Sequence, residues 1–143
     1  MMGGASAAFV ERITCYLQYD DNATSVVSAN HDERVMLAEA PFTQGPSNTS
    51  RLLGRLQMAV FEQPYEDSVI SVAQIFTATF DSTLYRGVIA ILGQQLLKPR
   101  GFELAVVGGT GRFRLARGFV IVRASPVVDN ESYYARMEFN LYR

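Results

Sequence analysis

The chain has 143 residues, 48% hydrophobic and 19% charged, with a formal net charge of −1. That length fits one domain with a real apolar core, and the near-neutral balance excludes bulk attraction to nucleic acid or a membrane surface. No apolar run approaches the roughly 18 residues of a membrane-spanning helix, so neither nucleic acid nor membrane is expected as a partner.

Residues 1–8 carry neither the charged start nor the apolar stretch of a signal peptide. They read as a flexible N-terminal segment or expression remnant ahead of a single domain over 9–143. Period-two patterning then predicts strands over 9–19, 24–30, 33–39, 53–62, 68–80, 84–93, 102–107, 112–124 and 132–142. Clusters of Asp, Asn, Gly and Pro separate them, as at Asp20-Asp21-Asn22, Gly45-Pro46-Ser47-Asn48 and Lys98-Pro99-Arg100-Gly101. Gly54 weakens the helical option over 51–61. Eight or nine closely spaced strands imply an antiparallel barrel or sandwich.

The first strand holds the only cysteine, Cys15, which excludes an intrachain disulfide and reads as a buried structural thiol. Tyr19 and Asp20 end that strand, and Asp20 is a candidate for facing inward at a barrel mouth. His31 is the only histidine and reads as a solvated turn residue. One His and one Cys make no zinc set, so no metal site is expected. Glu62, Glu66 and Asp67 read as a solvated turn. Over 68–80 one face is Ile70, Val72, Phe76, Ala78 and Phe80, interrupted by Gln74. The other face is uncharged too, which predicts a barrel wall packed against another subunit. In the last strand Tyr133, Ala135, Met137, Phe139 and Leu141 form the buried row.

Gly108-Gly109-Thr110-Gly111 lacks the Lys-Ser/Thr of a phosphate loop and runs into a strand, so it reads as a tight turn. Beyond it, alternation puts Phe113, Leu115, Arg117, Phe119 and Ile121 on one face. An arginine cannot shed its charge at pH 7, so Arg117 in that row needs a partner or a wet cavity. It is the sequence's main pointer to a site, and a structural salt bridge to Glu138 or Asp81 is the competing reading. Asn22, Asn48 and Asn130 each open an Asn-x-Ser/Thr triplet in a turn-like stretch, where a glycan can attach.

Pro41-Phe42-Thr43-Gln44-Gly45-Pro46, continuing through Ser50 to Gly54-Arg55-Leu56-Gln57, resembles the Pro-Leu-Thr-x-Gly-Pro-x-x-x-Ser-x-x-Val-Gly-Arg-Ala-Gln signature of plant dirigent proteins. Gly108-Gly109-Thr110-Gly111-Arg112-Phe113-Arg114-Leu115-Ala116-Arg117-Gly118 is similar to that family's Gly-Gly-Thr-Gly-x-Phe-x-x-Ala-Arg-Gly. Asn22-Ala23-Thr24-Ser25 and Tyr85-Arg86-Gly87 follow family segments in family order.

The resemblance implies an all-β, eight-stranded antiparallel barrel related to allene oxide cyclase, a homotrimer secreted to the apoplast, and no cofactor or metal. It implies a phenolic radical or quinone methide held in the barrel, with stereoselective coupling in lignan or phenylpropanoid biosynthesis and radicals supplied by a separate oxidase or peroxidase. Other family members cyclise quinone methides or dehydrate isoflavanols, and a non-catalytic defence or cell-wall trimer is the third option. On this reading Arg117 and Asp20 are the catalytic candidates. Tyr19, Gln74, Phe76, Phe80, Phe113 and Phe119 line the substrate site, with Leu115 and Ile121 beside them. The family's His-Asp pair falls on Gln18-Tyr19, its acid before Pro-Leu-Thr on Ala40, and its acid after Gly-Gly-Thr-Gly on Arg112. The usual C-terminal cysteine is absent from Leu141-Tyr142-Arg143.

Overall fold

Alternation along the chain becomes nine strands in a computed structural model that describes residues 9–19, 24–29, 34–65, 69–96, 101–124 and 133–142. They are β1 (Phe9–Tyr19), β2 (Thr24–Ala29), β3 (Arg34–Thr43), β4 (Leu52–Tyr65), β5 (Val69–Asp81), β6 (Arg86–Leu96), β7 (Phe102–Gly111), β8 (Arg117–Ala124) and β9 (Tyr133–Tyr142). All pairings are antiparallel, in the order β1-β9-β8-β7-β6-β5-β4-β3-β2. Tyr16 and Leu17 of β1 also pair with Thr43 and Phe42 of β3, which closes the sheet. β2 pairs only with β3 among the described residues, so eight strands form the expected barrel.

The interior rows follow the period-two expectation where a strand is continuous. Ile13, Cys15 and Leu17 face in from β1, Ala135, Met137, Phe139 and Leu141 from β9, and Gln74, Phe76, Ala78 and Phe80 from β5. Eight strands enclose a lumen wide enough for packed side chains or one small ligand. One end is packed with aromatic rings. Phe80 is the hub, with ring centroids 4.9 Å from Phe42, 5.0 Å from Phe113, and 5.8 Å from both Phe139 and Tyr85. Each fully buried ring stabilises the fold by about 1.5–3 kcal/mol relative to exposure.

Glycine makes that packing possible. Gly54 and Gly87 flank Phe80 on β4 and β6. A Cβ on Gly54 would strike the Thr79 carbonyl and come within 2.6 Å of Phe42 Cζ.

Of the boundaries that differ from the sequence expectation, three change the reading of the motifs. β3 continues through Pro41 to Thr43, because β2 covers its free edge only to Ala38 and β1 only from Phe42. The edge between them tolerates a residue with no N–H. β7 continues through Gly108 and Gly109, which pair with Ala90 and Ile89 beside a bulge, so they are strand and not turn. The turn is 112–116, with positive φ at Leu115 (67°) within it and at the flanking strand residues Gly111 (64°) and Gly118 (146°).

That turn resets the alternation. Phe113 and Ala116 are buried and Leu115 is 74% exposed; β8 then faces Val120 and Val122 inward. Leu115, Arg117, Phe119 and Ile121 therefore do not share the face of Phe113. Phe119 is half-buried and stacks on Tyr142 at 6.4 Å. On β5 the outward Ala73, Ile75 and Thr79 are exposed in the single chain.

Gly54→Ala is expected to lower stability by about 1–3 kcal/mol, the usual range for overpacking. Leu115→Gly relieves a left-handed residue and is expected to leave stability unchanged or raise it by up to about 1 kcal/mol. Urea unfolding of both variants checks the pair.

Candidate functional site: the barrel lumen

The closed end and the opposite end of the lumen differ in chemistry. Along β5 the inward side chains run Phe80, Ala78, Phe76, Gln74, about 20 Å from first to last at strand spacing. Phe80 and Phe113 belong to the aromatic plug. Phe76 lies between Met58 of β4 and Ile91 of β6 in register, and Gln74 between Val60 and Gly93. A Cβ on Gly93 would meet Leu104 Cδ2 at 2.5 Å, so this glycine lets the β7 leucine lean across beside Gln74. Gln74 is 7% exposed, a buried carboxamide in a wall of Val60, Phe76, Ile91 and Leu104.

Two other polar side chains are buried among the described residues, and both serve the wall. Asn140 accepts a hydrogen bond from Arg12 Nε at 2.9 Å, on the row that alternates with inward Phe139 and Leu141. Thr43 joins the seam where β1 meets β3. Gln18 Nε2 donates to Thr43 Oγ1 at 2.9 Å, and that hydroxyl lies 2.8 Å from the Gly45 carbonyl. Ser50 Oγ accepts from the Gly45 N–H at 3.1 Å and donates to the Ser47 carbonyl at 2.6 Å. The stretch carrying the Pro41–Gln57 resemblance therefore fixes the β3–β4 turn against β1 and helps close the barrel.

Of the two catalytic candidates, the structure describes Arg117. Arg117 opens β8 as an exposed side chain, paired in register with Tyr142. Its Nη1 donates to the adjacent Ala116 carbonyl at 2.9 Å. Neither expected salt-bridge partner serves it, since Glu138 pairs with Arg12 and Arg136, and Asp81 with Arg86. Asp20 lies outside the described residues. Tyr19 pairs with Tyr133 at the opposite end of β9 from Tyr142. Arg117 stands out in sequence because the 112–116 turn was read as strand. In the fold an exposed guanidinium at a strand start needs no buried partner. Phe119 likewise lies on the outer wall, while Gln74, Phe76, Phe80 and Phe113 are inside as expected.

One lumen-facing charge was overlooked. The inward row of β4 is Leu56, Met58 and Val60, and its next member is Glu62, half-buried at the end opposite the plug. Arg34 pairs with it in register, and Arg34 Nη1 lies 3.9 Å from Glu62 Oε2. Extending the alternation two residues past Val60 would have found it. The nearby Glu66-Asp67 made the stretch look like a solvated turn.

Cys15 sits on the inward row of β1, fully buried, and burial pushes its thiol pKa strongly up. The folded state holds the proton that the unfolded thiol releases above its ordinary value of 9.0. Its contribution to stability is therefore complete below that pH and declines as pH rises further. Iodoacetamide at pH 8 is expected to leave Cys15 unmodified in the native protein and to alkylate it in urea; equal rates would contradict this placement.

The fold is thus an eight-stranded antiparallel barrel with an apolar interior, packed with aromatic rings at one end. The family described as dirigent-like protein matches residues 16–143, and the chain belongs to it. Among curated relatives it is 30% identical over 109 residues to Dirigent protein 1 of Arabidopsis thaliana, covering 76% of this chain and 57% of that protein. It is 32% identical over 91 residues to Pterocarpan synthase 1 of Glycine max, covering 62% of this chain and 48% of that protein. The chain thus spans about half the length of these relatives. Among solved structures, the pterocarpan synthase dirigent protein GePTS1 superposes with a TM-score of 0.79 at 22% identity, over 99% of this chain and 92% of that one, a likeness of fold.

Proposed function

We propose that this dirigent barrel binds a phenolic radical or quinone methide in its lumen and directs stereoselective coupling, with a separate oxidase or peroxidase supplying the radicals. The observation that carries this reading is the lumen wall: apolar and aromatic along the described β5 row, with Gln74 as its buried polar group. Such a wall orients a planar, reactive guest and excludes water without needing proton transfer at every step. Coniferyl alcohol with a one-electron oxidant is expected to give racemic dimers alone and an enantiomeric excess when the protein is added. A racemic product at all protein concentrations would contradict it. The similarity to pterocarpan synthases favours a second reading, an enzyme that cyclises quinone methides or dehydrates isoflavanols, which turnover without any oxidase would establish.

We also propose a secreted homotrimer. Its support is an outer row that the registers align across five strands: Leu37, Ala59, Ile75, Leu92 and Ala105. Leu37, Ile75 and Leu92 are each nearly half exposed, and a groove of about 500 Å³ runs along Leu37, Ala59 and Ile75. A contiguous apolar surface of this kind favours a protein contact. Asn48 is exposed in the β3–β4 turn and open to a glycan, while Asn22 and Asn130 lie outside the described residues. Light scattering is expected to give three times the mass of one chain, falling to one chain when Ile75→Glu and Leu92→Glu are combined. A wild-type monomer would contradict the proposal.

A further inference from the structure

Two ion pairs among the described residues involve an inward row, one at each end of the barrel: Arg112–Glu11 beside the aromatic plug and Arg34–Glu62 at the other end. The pairs Arg12–Glu138, Arg55–Glu39, Arg136–Glu138 and Arg86–Asp81 lie on the outward rows. Arg34 and Glu62 continue the inward ones. On β3 the inward row includes Ala40 and Phe42, and Arg34 has the same parity. On β4 Glu62 follows Leu56, Met58 and Val60. Glu62 is cross-strand to Val72, and Val60 is cross-strand to Gln74. Glu62 and Gln74 are therefore diagonal neighbours on the lumen face, roughly 7–8 Å apart.

The ion-pair geometry leaves Glu62 able to bind something else. At 3.9 Å, Arg34 neutralises the carboxylate's charge but is beyond hydrogen-bond reach. The Glu62 side chain is 23% exposed, so water is partly excluded from it. A charge-compensated carboxylate with unspent acceptor capacity, beside a buried carboxamide and above apolar walls, matches a ring that carries a hydroxyl at one end.

We propose that Glu62 and Gln74 form the polar end of the substrate site, where Glu62 accepts the phenolic O–H of the guest and Gln74 hydrogen-bonds its oxygen substituents. Arg34 is a positioning residue that holds the carboxylate aimed across the mouth. This rests on the lumen being the phenolic site and adds the group that reads the hydroxyl. The substrate class is then a phenol with its hydroxyl free, and capping that oxygen removes the donor that Glu62 requires. An O-methylated analogue leaves the carboxylate without a partner while being partly desolvated, which costs more than losing a neutral contact.

Titration calorimetry with coniferyl alcohol and its 4-O-methyl ether tests this on the whole chain. The wild type is expected to prefer the free phenol by about tenfold, the usual effect of one hydrogen bond to a charged group. Glu62→Gln is expected to erase most of that preference without weakening ether binding. Arg34→Gln, kept as a second variant, is expected to reduce it partially, with circular dichroism reporting the fold of each. Equal binding of the two probes by the wild type, or full preference retained in Glu62→Gln, would overturn the role of Glu62 and leave the lumen reading standing. Failure of the wild type to bind either probe would overturn both.

Discussion

The structure depends on the contact of Phe80 with four other rings at one end of the barrel. Phe42, Phe113, Phe139 and Tyr85 come from β3, the 112–116 turn, β9 and the β5–β6 turn, so one cluster ties together segments distant in sequence. The rings meet because Gly54 and Gly87 flank Phe80, and because a Cβ on Gly109 would lie 2.8 Å from Phe113 Cβ. Removing side chains from the wall here lets the rings fill the lumen. The same packing sets polarity along the barrel axis: bulk at one end, and Gln74 with Glu62 at the other.

This polarity explains why residues prominent in sequence separate in space. The Gly-Gly-Thr-Gly stretch and its arginines lie at the plugged end. There Arg112 packs over the Tyr85 ring at 5.2 Å and reaches Glu11, while Arg117 donates to its neighbour's carbonyl. Their visible work is to hold the turn that delivers Phe113 into the cluster. The Thr43, Gly45 and Ser50 contacts serve the seam between β1 and β3 in the same way. The two stretches that most resemble the family are thus explained structurally by closure of the barrel.

Period two was a sound guide wherever a strand ran unbroken. It placed Ala135, Met137, Phe139 and Leu141 inside, and it marked Gln74 as a polar intruder in an inward row. It failed at 112–121 because alternation carries no memory across a turn. A left-handed Leu115 leaves no composition signal, and one miscounted turn moves every following side chain to the other face. Arg117 became a misfit in an apolar row through that error; its place in the Ala-Arg-Gly resemblance does not depend on it. Glu62 was missed for a different reason: the predicted strand reached it, but its charge was grouped with Glu66 and Asp67 as a solvated turn and not placed on the inward row. The closing contact of β1 with β3 was invisible locally, since it joins residues far apart in the chain.

The central claim is that the guest sits in the lumen between the ring of Phe76 and the Gln74–Glu62 end. A crystal structure of the protein soaked with a stable phenol measures this directly. The account predicts the ring against Phe76, with its hydroxyl within hydrogen-bond distance of Glu62 and the aromatic plug undisturbed. A phenol bound beside Arg117 at the opposite end, with the lumen filled by protein side chains, would contradict it.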